Sequence, residues 1–408
     1  MNILFITTRY PRSYQEPIVS GVVKNPFSAS LALARAGHAV TVITDGPHTG
    51  VWDFEGVTVH GVGEGFLKGV VAAFFVDIKI SLQFLRMRNE RFDVVHIHSG
   101  NLLFFFLLKK MGFVRCPVVY TAHGTSTPEL RANTAGSFSL RTILLRINGF
   151  VQEVIDKVMW SGSDMLVSAS DYQIEEMKTL YGLPGEKIVR VYNGVDTARY
   201  FPNPQARKAK REELGISSNA RVVLFVGRMA PKKGVHLLVN ALPSVLDKCP
   251  DAVFVCVSGN TGRYRGYRSQ VDGLRAQLTA QDRFRIIDDV AEADMPAFYN
   301  SADVCVFPSL GYESLPTVIY EAMATGVPII TQGSWGTPEV LDEVLLSEEE
   351  LQEEALPATI VGLLNDASRR EVISRSYQEK VGRFSWDVLE KEYEELYQGV
   401  LSRNNFSL

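Results

Sequence analysis

Short apolar runs alternate with helix-period stretches along the whole chain, and that alternation leaves few architectures open. Strands are expected at 2–8, 39–44, 57–62, 93–98, 118–122, 164–168 and 187–192, then at 222–226, 252–257, 283–287, 303–307 and 327–331. Helical spacing fills most of the gaps, notably at 26–35 before Gly37, at 153–160 and at 235–246. A strand followed by a helix before the next strand pairs in parallel, and parallel sheets are covered by helices on both faces. The expected class is therefore α/β.

At 408 residues with 46% hydrophobic content the chain has room for two or three domains with sizeable cores. Residues 1–8 read as a strand rather than a signal peptide. The longest apolar runs, 102–108 and 70–76, fall far short of the roughly 18 residues of a membrane span. Cys116, Cys249, Cys256 and Cys305 lack paired spacing and read as reduced core thiols, so a cytoplasmic protein is expected, neither secreted nor membrane-spanning. The first 200 residues carry a net +3 and the remainder −7, which gives the −4 of the chain. That excludes a nucleic-acid stripe and leaves the first half the side to face an anionic membrane.

The segment from Phe307 to Pro328 concentrates the chemistry. An apolar strand ends at Pro308-Ser309, Glu313 sits in the following loop, and Ser314 is the expected N-cap of a short helix that Gly326 closes. Pro316 suits its first turn. Backbone N–H groups of Leu315, Thr317 and Val318 would point out of the helix start, where dipole and unpaired donors favour a diphosphate. Glu321 lies about a turn and a half into the helix, placed to accept the two hydroxyls of a ribose, with Glu313 facing the sugar.

Two acids at this spacing also arise by chance on a solvated surface. The setting of strand, loop acid, helix, second acid, Gly-x-Pro and strand, however, resembles the Glu-x7-Glu element of the family 4 (group 1) retaining nucleotide-sugar glycosyltransferases. The resemblance implies a GT-B fold of two facing Rossmann-like domains with a central cleft.

Other loops fit the same pattern. Strand 222–226 runs into Gly227-Arg228-Met229-Ala230-Pro231-Lys232-Lys233-Gly234, cations on a loop before a helix that can neutralise phosphate oxygens. In the family an Arg and a Lys here contact the leaving diphosphate, and they map to Arg228 and Lys233. Gly259-Asn260-Thr261-Gly262 matches the glycine turn that passes under the nucleotide. Arg263, Arg265 and Arg268 are extra cations, as well read as solvated loop as donor contacts. The resemblance puts Asp288 and Asp289 in the base-binding loop, where the family commonly has Gly at the position of Asp288.

On the acceptor side stand Arg9, Ser20 and Asn193. Gly21 follows Ser20 where the family has Gly-Gly, and its backbone could approach a donor phosphate. His123, at the end of strand 118–122, maps to the family's histidine near the reacting face of the sugar; by itself a lone histidine at a strand end is more often structural. The segment 65–91 keeps helical spacing with interleaved cations, so a membrane-surface helix is conceivable, although a core helix fits it better.

Asn193-Gly194-Val195-Asp196 resembles the family's crossover between domains. An acceptor domain of residues 1–195 with a C-terminal helix 385–408, and a nucleotide-sugar domain of 196–384, follow as expectations. No Asp-x-Asp occurs, and His96 and His98 alternate on a strand without a third ligand nearby in sequence, so no metal and no cofactor are expected. The expected reaction moves a hexose from a nucleoside diphosphate sugar to a hydroxyl of a glycan or lipid-linked acceptor. His123, Arg228, Lys233 and Glu313 are its catalytic candidates, with peripheral contact at the inner face of a membrane. Two alternatives stay open: a non-catalytic sugar-nucleotide sensor, and a nicotinamide-dependent oxidoreductase, for which Gly61-Val62-Gly63-Glu64-Gly65 has the wrong spacing.

Overall fold

The structure, a computed structural model, describes residues 1–18, 20–64, 70–98, 100–124, 140–259, 262 and 264–405. Its chain divides into two compact units, one of residues 1–13, 22–192 and 386 onward, the other of 14–21 and 193–385. The division after 192 falls a few residues before the expected 195, and residues 14–21, expected with the first domain, group with the second. Both ends of the main second segment are tied together, because Val195 N–H donates to Phe384 O at 2.9 Å and Val195 bridges Ser385.

In the first unit eight strands order as β3-β4-β2-β1-β5-β6-β7-β8. They are β1 (Asn2–Thr8), β2 (Ala39–Asp45), β3 (Thr49–Phe54), β4 (Val57–Val62), β5 (Val94–Ile97), β6 (Val118–Ala122), β7 (Met165–Ser168) and β8 (Ile188–Arg190). Ile3 to Ile6 are fully buried, as a strand covered on both faces requires. All pairings are parallel except β3 with β4. Sequence reading missed β3, whose residues are mostly exposed at the sheet edge. It forms because Glu55 and Gly56, at φ 50° and 85°, make the tight turn that suits a hairpin.

The second unit has six strands, all parallel, in the order β11-β10-β9-β12-β13-β14. These are β9 (Arg221–Arg228), β10 (Ala252–Gly259), β11 (Phe284–Asp288), β12 (Val304–Phe307), β13 (Ile329–Gln332) and the two-residue β14 (Leu345–Leu346). The order reverses between β9 and β12, and in an open parallel sheet the crevice for a ligand lies at the carboxyl ends of such a pair. At the opposite ends, Arg207 and Arg211 both bind the Asp303 carboxylate, at 2.7 and 2.8 Å, and Val222 N–H donates to it as well.

Candidate nucleotide-sugar site

Because β9 and β12 are parallel neighbours, their following loops emerge side by side. Leu310 N–H donates to Lys232 O at 2.8 Å, stitching the loop after β12 to the turn Pro231–Lys233. Gly234 closes that turn at φ +68°, and a Cβ there would lie 1.9 Å from Pro308 O, so no other residue fits without moving the second loop. Gly311 is similarly close, with its Cβ position 3.0 Å from the Lys232 Cβ.

This packing brings Lys233 Nζ to 2.7 Å from Glu313 Oε1, with both side chains largely buried. Burial alone would push the Glu313 carboxyl up, but Lys233, Lys232 and Arg228 outweigh it and hold the group below the ordinary glutamate range. Glu313 is therefore an anion in a cationic pocket. Arg228, the last residue of β9, sits beside Gly259, the last of β10, in register across the pair.

The helix after the loop runs Thr317–Ala324, and its start departs from expectation. Pro316, in extended conformation, is the N-cap and no side chain caps the first turn, so Ser314 is not the cap; it is buried two residues earlier. The reason is the Pro316 ring, which keeps Leu315 out of the helical region and delays the helix. Thr317 and Val318 thus open the helix with first-turn N–H groups that have no intrahelical acceptor. Asn193, expected on the acceptor side, groups with the second unit, is 8% exposed, and donates through Nδ2 to Leu315 O at 2.7 Å. A buried amide there braces the helix approach.

Glu321 is 3% exposed and accepts a 2.6 Å hydrogen bond from Tyr299 OH. Sequence reading missed Tyr299, which reaches Glu321 from the helix Met295–Ser301; a tyrosine in an apolar helical stretch carries no local sign of its partner. Gly21 groups with the second unit, and its Cβ position would lie 3.5 Å from the Thr317 side chain. Ser20, expected on the acceptor side, groups there too.

At the loop expected to bind the base, Arg268 takes Asp288 in two contacts of 2.7 and 2.8 Å and Asp272 at 3.0 Å. These contacts commit one of the extra cations within the protein. Asp289 has φ 54°, a left-handed conformation that Asp tolerates better than most residues, and its N–H donates to Ser258 O at 3.0 Å. Asn260, Thr261 and Arg263 lie outside the described residues.

Within the first unit, His123 follows β6, and burial lowers its pKa to about 4. Its Nε2 is buried without a hydrogen-bond partner, and its ring centroid is 5.6 Å from that of His98. His96, weighed as a metal ligand, uses Nδ1 on Tyr397 OH at 2.6 Å and Nε2 on Thr121 Oγ1 at 2.7 Å. Through Tyr397 it anchors the C-terminal helix Trp386–Asn405 to this unit. A separate group, His38, Glu390 and Glu394, brings its ligand atoms within 4.8 Å of one another. Arg9, at φ 50°, pairs with Glu64 at 3.3 Å on the surface.

Comparison with known families matches residues 19–199 to the glycosyltransferase family 4 model and residues 220–366 to the glycosyl transferases group 1 model. The chain belongs to the family 4 (group 1) glycosyltransferases. This glycosyltransferase is 31% identical over 245 residues to spore coat protein SA of Bacillus subtilis, covering 57% of the chain and 64% of that protein. To the D-inositol 3-phosphate glycosyltransferase of Corynebacterium efficiens it is 28% identical over 356 residues, 83% of the chain and 78% of the relative.

Among solved structures, sucrose-phosphate synthase from Thermosynechococcus elongatus superposes with a TM-score of 0.81 at 19% identity, covering 99% of this chain and 100% of that one. Anabaena HepE, solved with UDP-glucose, gives 0.73 at 20% identity, covering 98% and 100%. The glycosyltransferase thus has the GT-B type of fold, with two Rossmann-like parallel sheets. Among the described residues, no helix is long and apolar enough to cross a membrane.

Proposed function

We propose that this glycosyltransferase moves a hexose from a nucleoside diphosphate sugar to a hydroxyl of a glycan or lipid-linked acceptor, with retention at the anomeric carbon and without a metal ion. The observation that carries the reading is the 2.7 Å pairing of Lys233 with Glu313 beside Arg228 and the uncapped start of helix Thr317–Ala324. Donor binding would draw Lys233 and Arg228 to the diphosphate, with the N–H groups of Thr317 and Val318 taking further phosphate oxygens.

Charge that develops on the departing diphosphate is then met by fixed cations and dipoles, the electrostatic role a metal plays elsewhere. Glu313, ionised, accepts hydroxyls of the sugar. Glu321, oriented by Tyr299, accepts ribose hydroxyls. His123, neutral near pH 7, holds the sugar from the acceptor side, together with Arg9 and Ser20. Gly21, Gly259, Asp289, Ser314, Leu315 and Pro316 complete the donor contacts through backbone and shape. A lipid-linked acceptor would bring the chain to the inner face of a membrane without a span.

The deciding experiment incubates the protein with uridine, guanosine and adenosine diphosphate sugars, with and without acceptor glycolipid, in chelator. Acceptor-dependent release of nucleoside diphosphate, with an α-linked product from an α-linked donor, supports the reading. Binding with no release by any donor would favour the sensor instead. Loss of activity in chelator that manganese restores would remove the metal-free part.

A further inference from the structure

Three helices of the first unit, Val70–Arg86, Leu103–Lys110 and Leu140–Gly162, each carry both buried and exposed apolar side chains. Their inner faces share one core cluster through Phe84, Phe105 and Trp160. They are locked side by side: Asp77 accepts the N–H groups of Phe104 and Phe105, Lys109 Nζ donates to Gly162 O at 2.8 Å, and Asn101 and Gln152 exchange amide bonds.

The outer faces should then be polar, and they are not. On the third helix Ile147, Phe150, Val151, Val154 and Val158 are exposed by 39 to 65% and recur at the i, i+3, i+4, i+7 spacing of a single stripe. Phe74 and Phe75 on the first helix, and Leu107 on the second with Phe113 just beyond it, are about half exposed as well. Exposed apolar side chains scattered singly need no explanation, but a stripe repeated on adjacent helices marks an interaction surface.

Charge selects the partner. Along the same segments Arg86, Arg88, Arg91, Lys110, Arg115 and Lys157 are exposed, against two exposed acids, Glu90 and Asp93, among the described residues. Two copies joined face to face by a two-fold axis would bring like charges together. An anionic bilayer offers hydrocarbon for the stripe and phosphates for its cationic rim.

We infer that this three-helix face lies on the surface of an anionic membrane, with Phe150 and Val154 among the side chains inserted below the headgroups. The inference deepens the lipid-linked part of the proposed reading and rests on it only for the chemistry of the acceptor. It also moves the contact from the single segment 65–91 to a surface built mainly by residues 103–113 and 147–158.

The test is flotation of the full chain with vesicles of phosphatidylcholine alone and with phosphatidylglycerol added. Binding is expected only with the anionic lipid, to fall with salt, and to drop about tenfold or more in the Phe150→Glu, Val154→Glu double variant at unchanged melting temperature. Equal flotation of variant and wild type, or no flotation with either vesicle, overturns it. So does a wild-type dimer in solution that the double variant dissociates, which would make the face a self-interface. A third variant, Val51→Glu, alters an exposed apolar residue on β3, outside these helices, and is expected to float like wild type. Flotation needs neither donor nor turnover, so a negative donor panel and a negative flotation assay are separate failures.

Discussion

Glu321 accepts a 2.6 Å hydrogen bond from Tyr299, and both side chains are buried. A phenol at that distance fixes the direction of the carboxylate, as the proposed contact with a ribose requires.

Replacing Glu321 with Ala removes charged hydrogen bonds worth about 1.5–3 kcal/mol, so donor affinity should fall roughly ten- to a hundredfold. Tyr299→Phe removes only the orienting bond and should cost about 0.5–1.5 kcal/mol of the same affinity. Calorimetric titration with the preferred donor measures both. Affinity unchanged in Glu321→Ala would show that the carboxylate does not touch the nucleotide.

Arg228 is assigned to charge that appears as the bond breaks. Arg228→Ala is therefore expected to lower kcat about a hundredfold, with a much smaller change in KM. Steady-state kinetics separate the two, and an effect confined to KM would reassign Arg228 to ground-state binding.

Gly234 has no alternative at φ +68° with Pro308 O in the way of any Cβ. Gly234→Ala should force the loop after β12 aside, destabilising the protein by about 3 kcal/mol and abolishing donor binding. Thermal melting with and without donor tests this. Wild-type stability in the variant would contradict the geometry.

Glu313 is held below its ordinary pKa by Lys233, Lys232 and Arg228 against the opposing effect of burial. A depressed carboxylate contributes stability above the ordinary glutamate value, and that contribution is lost only as pH falls through the lowered one. In Lys233→Met burial gains weight, so the acid limb of donor binding should move to higher pH. An acid limb at the same pH in wild type and variant would mean that Lys233 does not set the charge of Glu313.

Burial takes His96 to about 3 and His123 to about 4, so both stay neutral through the range in which a free histidine titrates. Their ring signals in NMR should not shift between pH 8 and about 5.5. The unfolded chain takes up these protons below about pH 6.5 and the native one does not, so the first unit loses stability as pH falls further. A titration of either ring near 6.5 would place it in water.

The helix start shows where sequence reading ended. Strand, loop acid and short helix were legible because each follows from local rules: apolar runs, Pro-Ser and glycine breaks, and a period of 3.6. Those local rules favour Ser314 as the cap, and only the backbone path of Leu315 and Pro316 puts the cap two residues later. The edge strand β3 was missed because it buries little and owes its place to β4.

The sequence by itself determined two parallel sheets and the loops that carry the cations and acids, because periodicity and turn chemistry act over a few residues. Only the tertiary structure decided which of those loops meet. Lys233 joins Glu313 because β9 and β12 pair in parallel where the strand order reverses, Tyr299 finds Glu321 across a helix contact, and Asn193 holds Leu315 from 122 residues away. Such pairings depend on register and packing between distant segments, which no short window of residues encodes.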